Sequence, residues 1–298
     1  MKIKRILDYI QCPYCSHKKL LLKKNEKLAC EKCKSLFDIV RGVPILMKSD
    51  HFGVQEKEQL KWFDKHYSRF SSKKYKLENW RLSMLKRIFE TDFSKNVKTY
   101  LDIGCGATGY TTIEAAKKLG WLSFGIDISL EAILRAKALA QKQGLEKRTA
   151  FLVCSAENLP FRSGLFDYIS AISLLEHLEN DERVIKGVSK VVKKKGHFYI
   201  CVPNTYRSMW PFLWPIYFYL DKKIGHKRHY SIEGLTKKAK KGGFELEKLF
   251  YNGHLTKLVQ LVLDKLRLIS EENWWWLEEK DISQNSMGIQ LNAIFKRG

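Results

Sequence analysis

Five short apolar runs, TYLDIG, SFGIDI, AFLVC, FDYISAIS and HFYICVP, alternate with stretches of helix length from residue 97 onward. That rhythm suits an open, largely parallel α/β sheet, because a parallel strand needs a long crossover before its neighbour can begin. The first run leads directly into YLDIGCGATGY, residues 100–110, in which Gly104, Gly106 and Gly109 have the spacing G-x-G-x-x-G. Glycines at such a point let a strand turn sharply into a helix and let a ligand approach the backbone. The helix after SFGIDI is marked at both ends, with Ser129 as N-cap and Gly144 as terminator of Leu130–Gln143.

The glycine spacing alone admits two ligands, a nicotinamide dinucleotide or S-adenosylmethionine. A pyrophosphate is held by a helix N-terminus, and the strand before such a turn is usually apolar. Here Asp102 stands two residues before Gly104. A carboxylate there repels a pyrophosphate and suits a cofactor carrying an ammonium and a sulfonium. Asp127, which closes the next strand, can accept both hydroxyls of a ribose, a role either cofactor would use.

LDIGCGATG, GIDIS, AENLPF, FDYISAISLLEHLEN, KKKGHFYICVPN and MGIQLNAIFKR follow one another in an order that resembles class I S-adenosylmethionine-dependent methyltransferases. The resemblance runs from about residue 97 to the C-terminus, is most specific over 97–204, and looks most like the branch containing quinone-biosynthesis enzymes. It implies a Rossmann-like, seven-stranded, mostly parallel sheet whose last two strands, near Phe244–Phe250 and Gly288–Lys296, form an antiparallel hairpin. It also implies that Asp102, Gly104 and Gly106 border the methionine moiety, with Gly109 in the same cofactor turn, that Asp127 binds the ribose, and that Ser155, Ala156 and Glu157 flank the adenine. The family usually carries an aspartate where this chain has Ser155, so the contact to the adenine amino group must be shifted or made by backbone.

Methyl transfer from a sulfonium is an in-line displacement, in which holding the acceptor at near-attack distance and excluding water supply much of the catalysis. A carbon, hydroxyl or phenol acceptor also needs a base. Glu176 and His177 follow the fourth strand, where loops at the carboxyl ends of open α/β sheets build sites. GHKRHYS offers His226, Arg228, His229 and Tyr230 as a second group, in a stretch that recurs in related methyltransferases of lipids and glycans on the acceptor side. His177, His229 and Tyr230 are the candidate catalytic side chains. The plainer alternatives are a donor-pocket wall for the first group and an ordinary basic loop for the second.

The first 48 residues read as a unit of their own. Cys12, Cys15, Cys30 and Cys33 have the pattern C-x2-C-x14-C-x2-C, two knuckles that can present four thiolates to one structural Zn²⁺. With LFDIVRGVPILM the stretch resembles the zinc-ribbon family of the small activator subunit that partners tRNA and protein methyltransferases. Residues 49–96 read as a helical connector, and 97–298 as the methyltransferase domain with insertions near 205–235 and 254–286.

Lys and Arg outnumber Asp and Glu by 54 to 32 in 298 residues, a net charge of +22 that favours anionic partners. No apolar run reaches the about 18 residues of a membrane span, and MKIKRILDYIQC lacks a signal-peptide pattern, so the expected compartment is the cytoplasm. MWPFLWPIYFYL, Met209 to Leu220, is nonetheless an apolar insertion followed by DKKIGHKR, and NWWWLEE places Trp274, Trp275 and Trp276 together. Aromatic groups beside a basic cluster suit peripheral contact with an anionic membrane. The expected acceptor is therefore lipid-like, quinone-like or otherwise amphipathic. The alternative is RNA, met by the ribbon and the positive surface, and a non-catalytic activator is a remote third.

Overall fold

The computed structural model describes residues 1–24, 26–47, 60, 97–208, 211–254, 286–298 and individual positions between 259 and 283. The connector expected over 49–96 lies outside the described residues apart from Leu60, as do Met209, Trp210, Trp274 and Trp275. The chain divides into two compact units. The described part of the first comprises residues 1–47, 97–170 and Arg183–Gly196, and the second holds Ala171–Glu182 and His197–Gly298.

The N-terminal module starts with a single turn, α1 (Ile3–Ile6), and continues into four short strands, β1 (Leu20–Lys23), β2 (Lys27–Cys30), β3 (Leu36–Val40) and β4 (Val43–Pro44). They pair in sequence order, antiparallel throughout. Then follow β5 (Thr99–Ile103), α2 (Tyr110–Lys118), β6 (Leu122–Asp127), α3 (Leu130–Lys142), β7 (Thr149–Val153), β8 (Phe166–Ile172), α4 (Asp181–Val191), β9 (Val192–Pro203), α5 (Trp214–Ile224), α6 (Ile232–Lys241), β10 (Phe244–Asn252) and β11 (Gln290–Arg297). Seven of these strands form one sheet in the order β10-β11-β9-β8-β5-β6-β7. β5, β6 and β7 run parallel, whereas β11 is antiparallel to both β9 and β10, with a bulge between Leu246 and Lys248. The expected sheet and its antiparallel last pair are both present.

β5, β6 and β7 are buried along nearly their whole length, as strands covered on both faces must be, which is why they read as unbroken apolar runs. In the first unit, Phe124 of β6 meets Phe161 and Phe166 edge to face at centroid distances of 5.8 and 5.4 Å, and Tyr9 tilts onto it at 4.9 Å. α3 begins where Ser129 Oγ accepts the Ala132 N–H, and it ends before Gly144, whose φ of +70° stops the helix.

The N-terminal module is part of the first unit's core. Val43 is fully buried among Ile113, Ile133, Ala136, Phe151 and Val153, and Ile45 forms a parallel bridge to Val153. The Leu46 N–H donates to the Val153 carbonyl at 2.8 Å and the Gln11 N–H to the Pro160 carbonyl at 2.9 Å. The Arg162 guanidinium donates to the carbonyls of Leu7, Ile10 and Lys18. One arginine thus satisfies three carbonyls of the module at once.

Phe124→Ala removes a buried ring on which both the sheet and Tyr9 depend, so it is expected to cost about 3–5 kcal/mol of stability. Urea denaturation followed by circular dichroism measures this, and a loss below about 1 kcal/mol would show that the aromatic group is not a core element.

Candidate functional site

The cradle lies at the ends of β5 and β6 in the first unit. Gly104, Gly106 and Gly109 have φ values of +75°, +63° and +49°, so the turn runs through left-handed backbone that side chains disfavour. Gly109 has a second constraint. A Cβ on it would stand 2.7 Å from Ala136 Cβ and 2.9 Å from Phe151 Cε1, so α2 could not start this close to α3 with any other residue.

Asp127 ties the turn together. Its Oδ2 accepts the Gly106 N–H at 3.0 Å and its Oδ1 accepts the Ser129 N–H at 3.0 Å, while the Ile126 carbonyl accepts the N–H groups of Gly104 and Cys105 at 2.8 and 2.9 Å. Asp102 is 2% exposed; its Oδ1 accepts the Ser170 hydroxyl at 3.0 Å and its Oδ2 the Thr112 hydroxyl at 3.1 Å. Hydrogen bonds of this kind hold a buried carboxylate in place. Ser155 to Asn158 forms a tight turn, in which Ser155 Oγ accepts the Glu157 N–H at 3.3 Å and the Ser155 carbonyl accepts the Asn158 N–H at 3.2 Å. The backbone of Ala156 and Glu157 is thereby fixed by Ser155, the residue where the family usually has aspartate.

The donor set of this cradle fits S-adenosylmethionine. It presents carboxylates at the ends of two adjacent strands and a left-handed glycine turn without side chains.

In the second unit a different group assembles around Asp221. His226 Nδ1 lies 2.6 Å from Asp221 Oδ1, His229 Nε2 lies 2.8 Å from Oδ2, and the Tyr206 hydroxyl donates to Oδ2 as well. His229 Nδ1 is also 2.6 Å from the Asn204 carbonyl, and Tyr206 stacks on the ring at 4.3 Å. Both nitrogens of His229 therefore face acceptors. Glu176 and His177 form the 3₁₀ turn after β8. His177 Nδ1 is 3.4 Å from the Gly225 carbonyl, and its ring packs edge-on against His226 at 4.9 Å. Burial, reinforced by His226, lowers the His177 pKa to about 4, so its imidazole is neutral at pH 7. Burial also raises Glu176 to about 8, with Asp221 adding to the effect, and its Oε2 has no hydrogen-bond partner.

Tyr230 donates its hydroxyl to Asp181 Oδ2 at 2.8 Å. Asp181 also pairs with Lys238 and Arg228, and although burial opposes ionisation, Lys238, Tyr230 and Arg228 together hold its carboxyl below the usual range. Asp221 and Asp181 were not among the residues singled out from sequence. Their part becomes visible only once α5 and α4 bring them to the GHKRHY segment.

The four cysteines converge in the first unit. Cys12 and Cys33 Sγ stand 3.6 Å apart, Cys15 and Cys30 Sγ 3.5 Å, and all four lie within 4.8 Å of one another. Sulfurs placed tetrahedrally at ~2.3 Å from one centre are about 3.8 Å apart, so the set fits a thiophilic cation.

Residues 94–253, more than half of the chain, match the family described as a methyltransferase domain. The chain belongs to this methyltransferase family. It is 40% identical to norajmaline N-methyltransferase of Rauvolfia serpentina over 34% of this chain and 34% of that protein. It is 35% identical to ajmaline N-methyltransferase of the same species over 41% and 42%. An uncharacterized protein of Methanocaldococcus jannaschii is 34% identical over 54% of this chain and 59% of its own. The chain thus spans well under half the length of the two Rauvolfia relatives. Among solved structures, phosphoethanolamine N-methyltransferase 2 of Haemonchus contortus, in complex with S-adenosyl-L-methionine, superposes with a TM-score of 0.53 at 18% identity, covering 74% of this chain and 52% of that one. Geranyl diphosphate C-methyltransferase of Streptomyces coelicolor A3(2) gives 0.51 at 14% identity, covering 67% and 70%. These two likenesses concern the fold.

Asp181 makes an acid-side prediction. Its native pKa is depressed, so its contribution to stability is present above the ordinary carboxylate range, about 4, and is lost as pH falls through the lower native value. Asp181→Asn should be less stable than the wild type at neutral pH and should lack that acid-side loss. Thermal midpoints measured across acid pH would show it, and parallel profiles would remove Asp181 from this role.

Proposed function

We propose that this protein transfers the methyl group of S-adenosylmethionine to an amphipathic small molecule, lipid-like or quinone-like, and that its four cysteines hold a structural Zn²⁺. The observation that carries the donor assignment is the Asp102–glycine turn–Asp127 cradle in a chain of the methyltransferase family. When bound, S-adenosylmethionine supplies a methyl group already activated by its sulfonium. The chain's own part is to bind and orient. We assign Asp127 to the ribose hydroxyls, Asp102 with Gly104 and Gly106 to the methionine end, and the Ser155–Glu157 turn to the adenine.

We assign the acceptor to the second unit. Phe212, Phe218 and Tyr219 on and before α5 are 64%, 65% and 65% exposed, an aromatic surface of the sort that marks an apolar ligand or a membrane. Trp276 is also largely exposed, and Lys222 and Lys227 accompany the aromatic groups in sequence. No described helix is long and apolar enough to cross a membrane. Peripheral contact with an anionic surface accords with that composition. The small molecules in the names of the Rauvolfia relatives support a small acceptor. In this reading proton removal from a hydroxyl, phenol or carbon acceptor falls to the Glu176–His177–His226 group. His229 and Tyr230, whose polar atoms are engaged by Asp221, Asn204 and Asp181, hold the acceptor loop in position.

RNA is the second reading, favoured by the net charge and by a cavity of about 610 Å³ beside the cysteine module, where Lys18, Arg183, Lys186 and Lys190 stand with Glu157.

Calorimetry tests the donor. The wild type should bind S-adenosylmethionine and not NAD, and Asp127→Ala should bind at least tenfold more weakly, in keeping with about 1.5–3 kcal/mol for a charge-assisted hydrogen bond. Tight NAD binding or an unchanged affinity in the variant would count against the cradle. For the acceptor, methyl-labelled donor is incubated with separate lipid, RNA and protein fractions. Label is expected in the lipid fraction, and transfer there should fall when Phe218 and Tyr219 are both replaced by Ser while donor binding holds. Label in RNA would replace this reading with the second, and absence of label from every fraction despite donor binding would favour a non-catalytic activator. Elemental analysis should find one Zn²⁺ per chain, lost in Cys30→Ser together with the fold of the module, because small zinc modules draw folding free energy from the metal.

A further inference from the structure

A carboxylate oxygen without a partner inside a protein is costly, and Glu176 presents one. The residue is 1% exposed, and its Oε2 has no hydrogen-bond partner among the described residues. Glu176 also stands in a cluster of side chains that are metal ligands by type. One donor atom each from Glu176, His177 and His226 lies within 4.8 Å of the other two.

The surroundings orient these donors. His226 gives its Nδ1 to Asp221 Oδ1 at 2.6 Å, which fixes the ring and leaves Nε2 as the nitrogen with a lone pair to offer. His177 has its Nδ1 toward the Gly225 carbonyl at 3.4 Å. Imidazoles held through one nitrogen by a carboxylate or carbonyl are the usual form of a histidine ligand, since the outer acceptor sets both tautomer and ring direction. Backbone contacts lock the two segments together: the Lys227 N–H donates to the Glu176 carbonyl at 2.9 Å, and the Arg228 guanidinium donates to the Leu178 and Glu179 carbonyls.

A second trio, Asp221, His226 and His229, is equally close. Its members already satisfy one another through hydrogen bonds of 2.6 and 2.8 Å, and Tyr206 adds a third bond to the same carboxylate. Both oxygens of that trio's carboxylate are already engaged. The orphaned oxygen belongs to Glu176.

We infer that Glu176, His177 and His226 form a binding site for a divalent transition-metal cation, distinct from the four-cysteine site, with Asp221 as the outer carboxylate that orients His226. Two imidazoles and one carboxylate suit Zn²⁺, Co²⁺, Ni²⁺ or Fe²⁺; Mg²⁺ and Ca²⁺ prefer oxygen donors throughout. Three protein donors leave a coordination position for an exogenous oxygen or nitrogen ligand. With the three donors committed to the cation, an oxygen acid bound there would give up its proton more readily, to solvent water, in place of the direct proton removal assigned to the trio above, so a hydroxyl or phenol acceptor is the ligand class the site would take. The site itself stands whether or not the acceptor assignment above is correct.

The test uses Co²⁺ with the full chain after chelator treatment. Cobalt in the cysteine site shows thiolate-to-metal charge transfer, whereas cobalt on nitrogen and oxygen donors shows ligand-field bands alone. The wild type should take up a second equivalent with the latter signature. Glu176→Gln and His226→Ala should each abolish it and keep the thiolate signature, which also reports that the chain is folded. Asp221→Asn should weaken it by about 10- to 100-fold. Saturation with the thiolate signature alone would overturn the proposal, and so would a second equivalent that survives both Glu176→Gln and His226→Ala. Loss of that equivalent in His229→Ala with retention in Glu176→Gln would move the cation to the other trio and overturn the assignment made here. None of these readouts requires methyl transfer, so they are independent of the fate of the acceptor reading.

Discussion

The two hydrogen bonds accepted by Asp127 are the constraint on which the donor cradle depends. A left-handed glycine turn has no side chains of its own to hold it, so its shape must come from what its amides find. Here Gly106 finds the carboxylate at the end of the next strand, and Gly104 and Cys105 find the carbonyl one residue earlier. The other oxygen of that carboxylate fixes Ser129, which caps α3. One side chain thereby sets the turn, the end of β6 and the start of a helix. A ribose bound here would meet a group already oriented.

Asp102 follows a different logic. Buried, it accepts the hydroxyls of Ser170 and Thr112, which hold its negative charge in place near the end of β5. A cationic cofactor is what such a charge favours. In the second unit the two aspartates are closely answered: Asp181 is surrounded by Lys238, Arg228 and Tyr230, and Asp221 by two histidines and a tyrosine. Glu176, whose Oε2 has no hydrogen-bond partner among the described residues, stands apart from those two clusters.

Most of the sheet was legible because β5 to β9 are buried on both faces and their sequences are correspondingly apolar. The cradle was legible because left-handed turns call for glycine and because two aspartates sit at strand ends. Ser170 and Thr112 were not, since each is an ordinary residue of a strand or helix until folding brings it to Asp102 from 68 or 10 residues away. Asp221 reads in sequence as one more charge after an apolar stretch, and only the return of the chain through Gly225 gives it two histidines. The cysteine spacing declared a four-thiol cluster, yet nothing in it announced that Val43 would enter the core of the following domain or that Arg162 would reach back to three carbonyls. Such long-range contacts have no periodic signal.

The bridge from Ile45 and Leu46 to Val153 has a consequence for solubility. β7 is a terminal strand of the seven-stranded sheet, and an uncovered terminal strand presents a row of unsatisfied amides and carbonyls to any other chain. In this protein the stretch just after β4 occupies part of that row. The cysteine module is thus a guard against intermolecular strand pairing. Whatever loosens the four-thiol cluster also bares the rim of β7, so damage to the module would show itself as self-association of the whole chain.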